Sequence, residues 1–149
     1  MAKLNAFTRL KVKRDTFFLP DPNGGVYFRN NSSSFRMEGH TIYQWIEKLM
    51  PMFDGEHTLG ELTNGLPLPY QNRIYEIGET LYQNGFVRDV SQDHPHQLKK
   101  GLLEKYASQI EFLENFVDSG AFRFQGYRQT KVLAVGSGPF FISLVSALV

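Results

Sequence analysis

Residues 25–62 read GVYFRNNSSSFRMEGHTIYQWIEKLMPMFDGEHTLGEL, and the spacing of their apolar residues changes partway along. Up to Glu38 apolar and polar residues alternate, which is the period of a β-strand. From Ile42 onwards apolar residues recur every three or four positions, which is the period of an amphipathic helix. This segment therefore predicts two strands, at residues 26–30 and 34–38, that are joined by an Asn-Ser turn and followed by a helix.

The residues before this segment predict a further strand and a tight turn. RLKVKRDTFFL, residues 9–19, alternates at first, but its side-chain phase breaks near Asp15 because Phe17 and Phe18 are adjacent. PDPNGG, residues 20–25, has the composition of a turn, since proline fixes φ and asparagine and glycine tolerate positive φ. We therefore expect hairpin-linked strands in the first forty residues.

Two more helices and a closing strand are predicted after the first helix. Thr58 and Glu61 match a capping box, in which hydroxyl and carboxylate each satisfy an otherwise unpaired amide. Pro69 suits the first turn of a third helix, and Asn84-Gly85 supplies its C-terminal cap. The apolar stripe of that helix consists of Ile74, Ile77, Leu81 and Tyr82. FVRDV, residues 86–90, is predicted to be the closing strand.

Together these elements predict an α+β fold with a winged helix-turn-helix organisation over residues 1–90. SQDHPHQ, residues 91–97, is a polar break and the expected domain boundary. Residues 91–129 are expected to hold a linker and one long amphipathic connector helix, whose apolar residues run from Leu102 to Val117.

The tail of the chain, residues 130–149, ends in VLAVGSGPFFISLVSALV, which has no charged residue. This run reaches the lower limit for a membrane span. A dinucleotide- or adenylate-binding unit is the favoured interpretation, because an apolar strand at 131–135 runs into the loop Gly136-x-Gly138.

The nucleotide-binding pattern of the tail is incomplete. Phe141 stands where the fingerprint has its third glycine, and a complete βαβ unit takes about thirty residues or more. We therefore expect the truncated start of a Rossmann-type domain with a vestigial loop at Gly136 and Gly138, and no cofactor. The chain itself is expected to be a fragment.

Composition and charge restrict the classes of function. The sequence has no cysteine, which excludes disulfides and thiol catalysis within it and favours a reducing cytoplasm. Net charge is +4 over residues 1–40, −5 over residues 41–97 and +2 over residues 98–149. Because phosphate contacts supply most DNA affinity, the acidic middle part disfavours DNA binding. Its predicted third helix has Arg73 as its only cation.

No catalytic or metal-binding constellation is predicted. His94 and His96 lie in the polar linker without a carboxylate at ligand spacing. The serine cluster at residues 32–34 is interpreted as a turn, because no histidine and acid are arranged to activate a nucleophile. We expect neither a metal site nor a catalytic residue.

Residues 9–90 resemble the PqqD-like family, the recognition elements for precursors of ribosomally made peptides. The likeness rests on the strand, turn, strand and helix of residues 25–62, with Asp54-Gly55 before a second helix that begins at Thr58. In that family a leader peptide adds a strand to a sheet edge and packs against the third helix.

The resemblance implies that residues 34–37 are the receiving edge, opposite the third helix. It also implies that Arg29 and Arg36 suit an acidic leader. The implied peptide-binding residues are Arg29, Ser34, Phe35, Arg36, Met37, Arg73, Ile74 and Ile77. The alternative for the apolar members, Phe35, Met37, Ile74 and Ile77, is that they are simply core.

The order of the segments resembles the N-terminal part of the ThiF-like proteins of thiazole/oxazole-modified bacteriocin clusters, the thiazole-containing bacteriocin maturation proteins. That resemblance implies a non-catalytic component that brings the leader to a separate YcaO-type cyclodehydratase. It implies neither a nucleic-acid nor a membrane partner, and a homodimer through the C-terminal segment is a further expectation. Two alternatives stay open: a fragment of an ATP-dependent adenylating ThiF-like enzyme, and a winged-helix DNA-binding regulator.

Overall fold

The computed structural model describes residues 4–148, which fold into short antiparallel sheets and helices and confirm the α+β class. The strands are β1 (Leu10–Val12), β2 (Phe17–Pro20), β3 (Val26–Arg29), β4 (Ser34–Met37) and β5 (Val87–Asp89). The helices are α1 (Ile42–Leu49), α2 (Leu59–Thr63), α3 (Leu68–Gln83), α4 (Lys100–Lys105), α5 (Ala107–Glu114), α6 (Gly120–Gln129) and α7 (Pro139–Leu148). A 3-10 turn, Met50–Met52, extends α1.

Strands β2, β3 and β4 form an antiparallel sheet with β3 in the centre. Their alternation follows the predicted pattern, because Val26 and Phe28 of β3 are buried and its other two residues are exposed. The turn before β3 requires glycine at position 25: its φ is +118°, and a Cβ there would overlap the carbonyl oxygen of Met37.

Strands β1 and β5 pair with each other in a second sheet, separate from the first. A turn at residues 14–15 lies between β1 and β2, where the sequence predicts the break in side-chain phase. The ladder of this sheet continues with the bond from Lys13 N–H to Phe86 C=O, and the bond from Val12 N–H to Phe53 C=O ties β1 to the segment that follows α1. Residues 9–19 therefore supply strands to both sheets.

The core lies between the three-stranded sheet and the helices α1, α2 and α3. Phe28 is fully buried at its centre, with its ring centroid 5.3 Å from that of Phe86 and 6.0 Å from that of Phe18. The buried aliphatic residues of the same core cluster come from every one of these helices and include Ile42, Ile46, Leu59, Ile74, Ile77 and Leu81. Tyr82, which the sequence places in the stripe of α3, is 39% exposed.

The predicted capping box at α2 is confirmed. The Glu61 N–H donates to Thr58 Oγ1 at 3.1 Å, and the Thr58 N–H donates to Glu61 Oε2 at 2.8 Å. Just before it, the Asp54 carboxylate accepts the backbone N–H groups of Glu56 and His57 and lies 2.8 Å from His57 Nδ1. The bonds from Glu56 and His57 lower the pKa of Asp54 to about 2, and Asp54 in turn raises the pKa of His57.

The connector differs from the single helix that the sequence predicts. It breaks at Tyr106, whose φ of −111° ends α4 and begins α5. The ring of Tyr106 packs 5.2 Å from that of Phe124 in α6, a helix formed by residues that the sequence left unassigned. A tertiary contact of this kind has no counterpart in local periodicity, which is why the prediction of one uninterrupted helix was wrong.

The tail also departs from the prediction. Residues 131–137 form no strand, since a strand requires hydrogen-bonding neighbours and none pairs with them within residues 4–148. Leu133 is 89% exposed. The helix expected after the glycine loop is present as α7. Among the described residues, no helix is both long enough and apolar enough to cross a membrane.

We expect Thr58→Ala to lower the free energy of unfolding by about 1 kcal/mol, because it removes the capping hydroxyl of α2. Urea denaturation measures this change. The matched control is Thr41→Ala, since Thr41 occupies the N-cap of α1 without making a side-chain capping bond. Equal destabilisation by the two variants would contradict a specific role for the capping box.

We expect an NMR titration to give His57 a pKa above its usual range and to return it towards that range in Asp54→Asn. Because folding raises this pKa, protonated His57 stabilises the folded chain at pH values below about 6.5. That contribution is lost as the pH rises through the raised pKa. An unchanged His57 titration in the variant would contradict the role of Asp54.

Candidate functional site at the edge of strand β4

Strand β4 has one side bonded to β3 and one side free of strands within the described residues. In an antiparallel pair, residues alternate between those that exchange hydrogen bonds with the neighbour and those whose N–H and C=O point away. The bond from Asn30 N–H to Ser33 C=O, 3.0 Å long, sets this phase at the β3–β4 turn. It makes Phe28–Phe35 a bonded pair, so that the backbone groups of Ser34 and Arg36 point to the free side.

Strand β2 forms the opposite edge of the sheet and offers less to an incoming backbone. The bond from Asp21 N–H to Gly25 C=O sets its phase, so that Phe18 and Pro20 point outwards. Pro20 has no N–H group to donate. The neighbouring outward N–H, that of Thr16, already donates to Lys13 C=O at 3.0 Å. The β4 edge instead has two successive outward residues without proline, which makes it the better acceptor of an added strand.

The side chains of β4 divide between the two faces of the sheet. Phe35 and Met37 are half-buried and pack against the core. Ser34 and Arg36 are exposed on the outer face, together with Arg29 of β3. An added strand would therefore meet an apolar surface on one face and a polar, cationic surface on the other.

The two arginines of the outer face differ in their partners. Arg36 Nε lies 2.7 Å from Asp21 Oδ2, in an ion pair whose carboxylate is only 11% exposed. Arg29 has no carboxylate oxygen within 4.0 Å among residues 4–148. The sequence gives no indication of this difference, because Asp21 lies in the preceding turn and meets Arg36 only through the register of the sheet.

The predicted residues of α3 do not join the exposed set. Ile74 and Ile77 are 3% and 2% exposed and belong to the core cluster, so they offer no surface to a ligand. Arg73 is half-exposed and pairs with Glu76 on its own helix at 3.2 Å. The structure therefore brings together Arg29, Ser34, Phe35, Arg36 and Met37 and leaves the three α3 residues outside the edge.

The glycine loop of the tail contacts its own helix. A Cβ on Gly136 would lie 2.8 Å from the ring of Phe141, the residue in the place of the third glycine. Gly138 has a φ of +91° immediately before α7. Side-chain bulk thus occupies the space beside the loop backbone.

A cleft of about 500 Å³ lies between β5 and the connector, and its lining includes three ion pairs that are formed by Lys11, Arg88, Asp93 and Glu114. Arg88 donates to Asp93 at 2.9 Å and to Glu114 at 2.6 Å. Both carboxylates are therefore committed to an ion pair that joins β5 to the connector. No group of three or more metal-ligating side chains occurs in the part of the chain that the structure describes.

Comparisons with known proteins give matches only among solved structures, and these include two heterocyclases. The chain matches no protein family and no curated protein. It is similar to the heterocyclase TruD, with 15% identity, a TM-score of 0.38, and 68% of this chain covered. A heterocyclase in complex with substrate and cofactor is similar at 14% identity, a TM-score of 0.35 and 67% coverage. The chain spans 14% and 12% of the lengths of these two proteins.

We expect amide hydrogen exchange to alternate along β4. Ser34 and Arg36 should exchange quickly because their N–H groups point to solvent, whereas Phe35 and Met37 should be protected by bonds to β3. Residue-resolved exchange by NMR measures these rates. At the β2 edge, Phe18 should exchange quickly, while Thr16, just before β2, should be protected by its bond to Lys13. Equal protection at all four β4 positions would show that this edge is occupied.

Proposed function

We propose that this chain binds an extended peptide, the leader of a ribosomally made precursor, by adding it as a strand to β4. The observation that carries the proposal is the pair of outward, unblocked backbone positions at Ser34 and Arg36, beside an opposite edge that Pro20 blocks. The resemblance of residues 9–90 to the PqqD-like recognition elements supports the same edge.

The chemistry of the edge suits a peptide of alternating character. Main-chain bonds give affinity that does not depend on sequence, and alternate side chains give specificity. On the inner face, Phe35 and Met37 extend the apolar core up to the rim of the sheet. On the outer face, the exposed guanidinium of Arg29 favours an acidic residue in the leader, whereas Arg36 is already paired with Asp21.

The proposed role is substrate recognition without chemistry by this chain. On the resemblance to ThiF-like maturation proteins, the bound leader is presented in the cytoplasm to a separate YcaO-type cyclodehydratase, which forms the thiazoles and oxazoles. Residues 130–149 are then the start of a ThiF-like unit. Leu133 and Val135 are apolar but exposed. This supports the view that another part of the full-length protein, or a second copy of the chain, packs against this segment.

The two alternative functions have less support. Adenylation by a ThiF-like site requires an open phosphate loop, and the Phe141 ring lies against Gly136. DNA binding requires cations on α3, but Arg73 is paired with Glu76.

The test is fluorescence anisotropy with a labelled leader peptide from a precursor gene adjacent to the gene for this chain. Ser34→Pro removes an outward N–H, and we expect it to weaken binding at least about tenfold relative to Ser34→Ala. Met37 is a poor place for such a change, because its N–H bonds to β3 and proline there would break the sheet itself. Equal binding by the two Ser34 variants, with both folded by circular dichroism, would contradict strand addition at β4.

A further inference from the structure

The outer face of the three-stranded sheet carries two cross-strand rows of side chains. One row runs Phe17, Arg29, Ser34, and the other runs Leu19, Tyr27, Arg36. Each row ends at β4. A strand added to β4 would extend each row by one residue, and those two residues would be two positions apart in the peptide.

The second row ends in a cation that is already neutralised and directed inwards. Arg36 reaches back across β3 to Asp21, which lies in the β2–β3 turn on the far side of the sheet. Asp21 is held there by its own bonds, since Oδ1 accepts the Asn23 N–H at 2.9 Å and its backbone bonds to Gly25. The peptide residue beside Arg36 therefore meets a compensated charge.

The first row offers a cation that has no carboxylate partner within residues 4–148. Arg29 is exposed, and Asp15, which borders the same end of the sheet by accepting the Asn31 N–H, is more than 4.0 Å from it. Between Arg29 and the free edge stands only Ser34, whose side chain is short. Arg29 and Ser34 form a non-hydrogen-bonded pair, in which the side chains of the two strands lie closest.

The spacing of strands brings Arg29 within reach of the peptide. Neighbouring strands are about 4.8 Å apart, and an extended arginine side chain can pass over a serine to a carboxylate that projects from the next strand. A guanidinium prefers a carboxylate partner because two parallel N–H donors match its two oxygens.

We propose that Arg29 is the specificity-determining residue of the edge and selects a peptide with aspartate or glutamate opposite Ser34. The inference rests on the proposed function, because it requires a peptide strand on β4. It assigns Arg36 a different task, which is to tie β4 to the turn before β3. At the peptide position two residues away, which lies beside Arg36, the charge of the side chain does not change the binding affinity.

The experiment selects peptides from a display library of random dodecapeptides against the wild-type chain and against Arg29→Glu. Wild type should enrich an acidic residue at one position of an alternating apolar pattern, and Arg29→Glu should enrich lysine or arginine at that position. A peptide selected on wild type should bind Arg29→Glu at least about tenfold more weakly. Its acidic-to-lysine version should recover binding to the variant.

Two further variants separate the local contact from general electrostatics. Lys48→Glu makes the same change in net charge on an exposed position of α1, and it should leave binding of the selected peptide unchanged. Asp21→Asn keeps an oxygen for the Asn23 N–H but releases Arg36. It should add a second acidic preference two residues from the first.

Unchanged binding to Arg29→Glu, or an equal loss in Lys48→Glu, would overturn the role of Arg29 while leaving strand addition intact, provided that Ser34→Pro still binds at least about tenfold more weakly than Ser34→Ala. If wild type enriches no peptide, or if Ser34→Pro binds as well as Ser34→Ala, the proposed function fails and the inference fails with it.

Discussion

The hydrogen bond from Asn30 N–H to Ser33 C=O is the constraint on which the candidate site depends. It determines which residues of β4 are bonded to β3, and with them which backbone groups face solvent. The Asn30 side chain reinforces the turn, because its oxygen accepts the Ser32 and Ser33 N–H groups and its nitrogen donates to Gly85 C=O at the end of α3. A shift of one residue at this turn would exchange the bonded and outward positions and turn Phe35 and Met37 to the outer face.

The two edges of the same sheet differ through very few residues. Pro20 and the occupied N–H of Thr16 leave β2 with little to offer, whereas β4 has no such block. Edge strands are commonly protected against unwanted pairing, so that an unprotected one beside a protected one is a useful indication of function. On the outer face, Arg36 is paired with Asp21, whereas Arg29 has no carboxylate partner in the part of the chain that the structure describes.

Local periodicity was sufficient for much of the fold and for part of the site. The alternation of Val26 to Met37 predicts β3 and β4, and the pair Thr58 and Glu61 predicts the cap of α2, since both depend on neighbours in sequence. The break at Tyr106 was missed because it is associated with packing on Phe124. For Ile74 and Ile77 the sequence left two alternatives open, a binding groove and the core, because an apolar stripe alone cannot distinguish them.

Arg88 joins the β1–β5 sheet to the helices of the connector. Its bonds to Asp93 and Glu114, beside the Lys11–Glu114 pair, hold α5 against the β1–β5 sheet. Because Asp93 also accepts the Ser119 N–H, the start of α6 is held to the same anchor. The start of α6 is thus fixed relative to β5, and with it the point from which the chain continues towards α7.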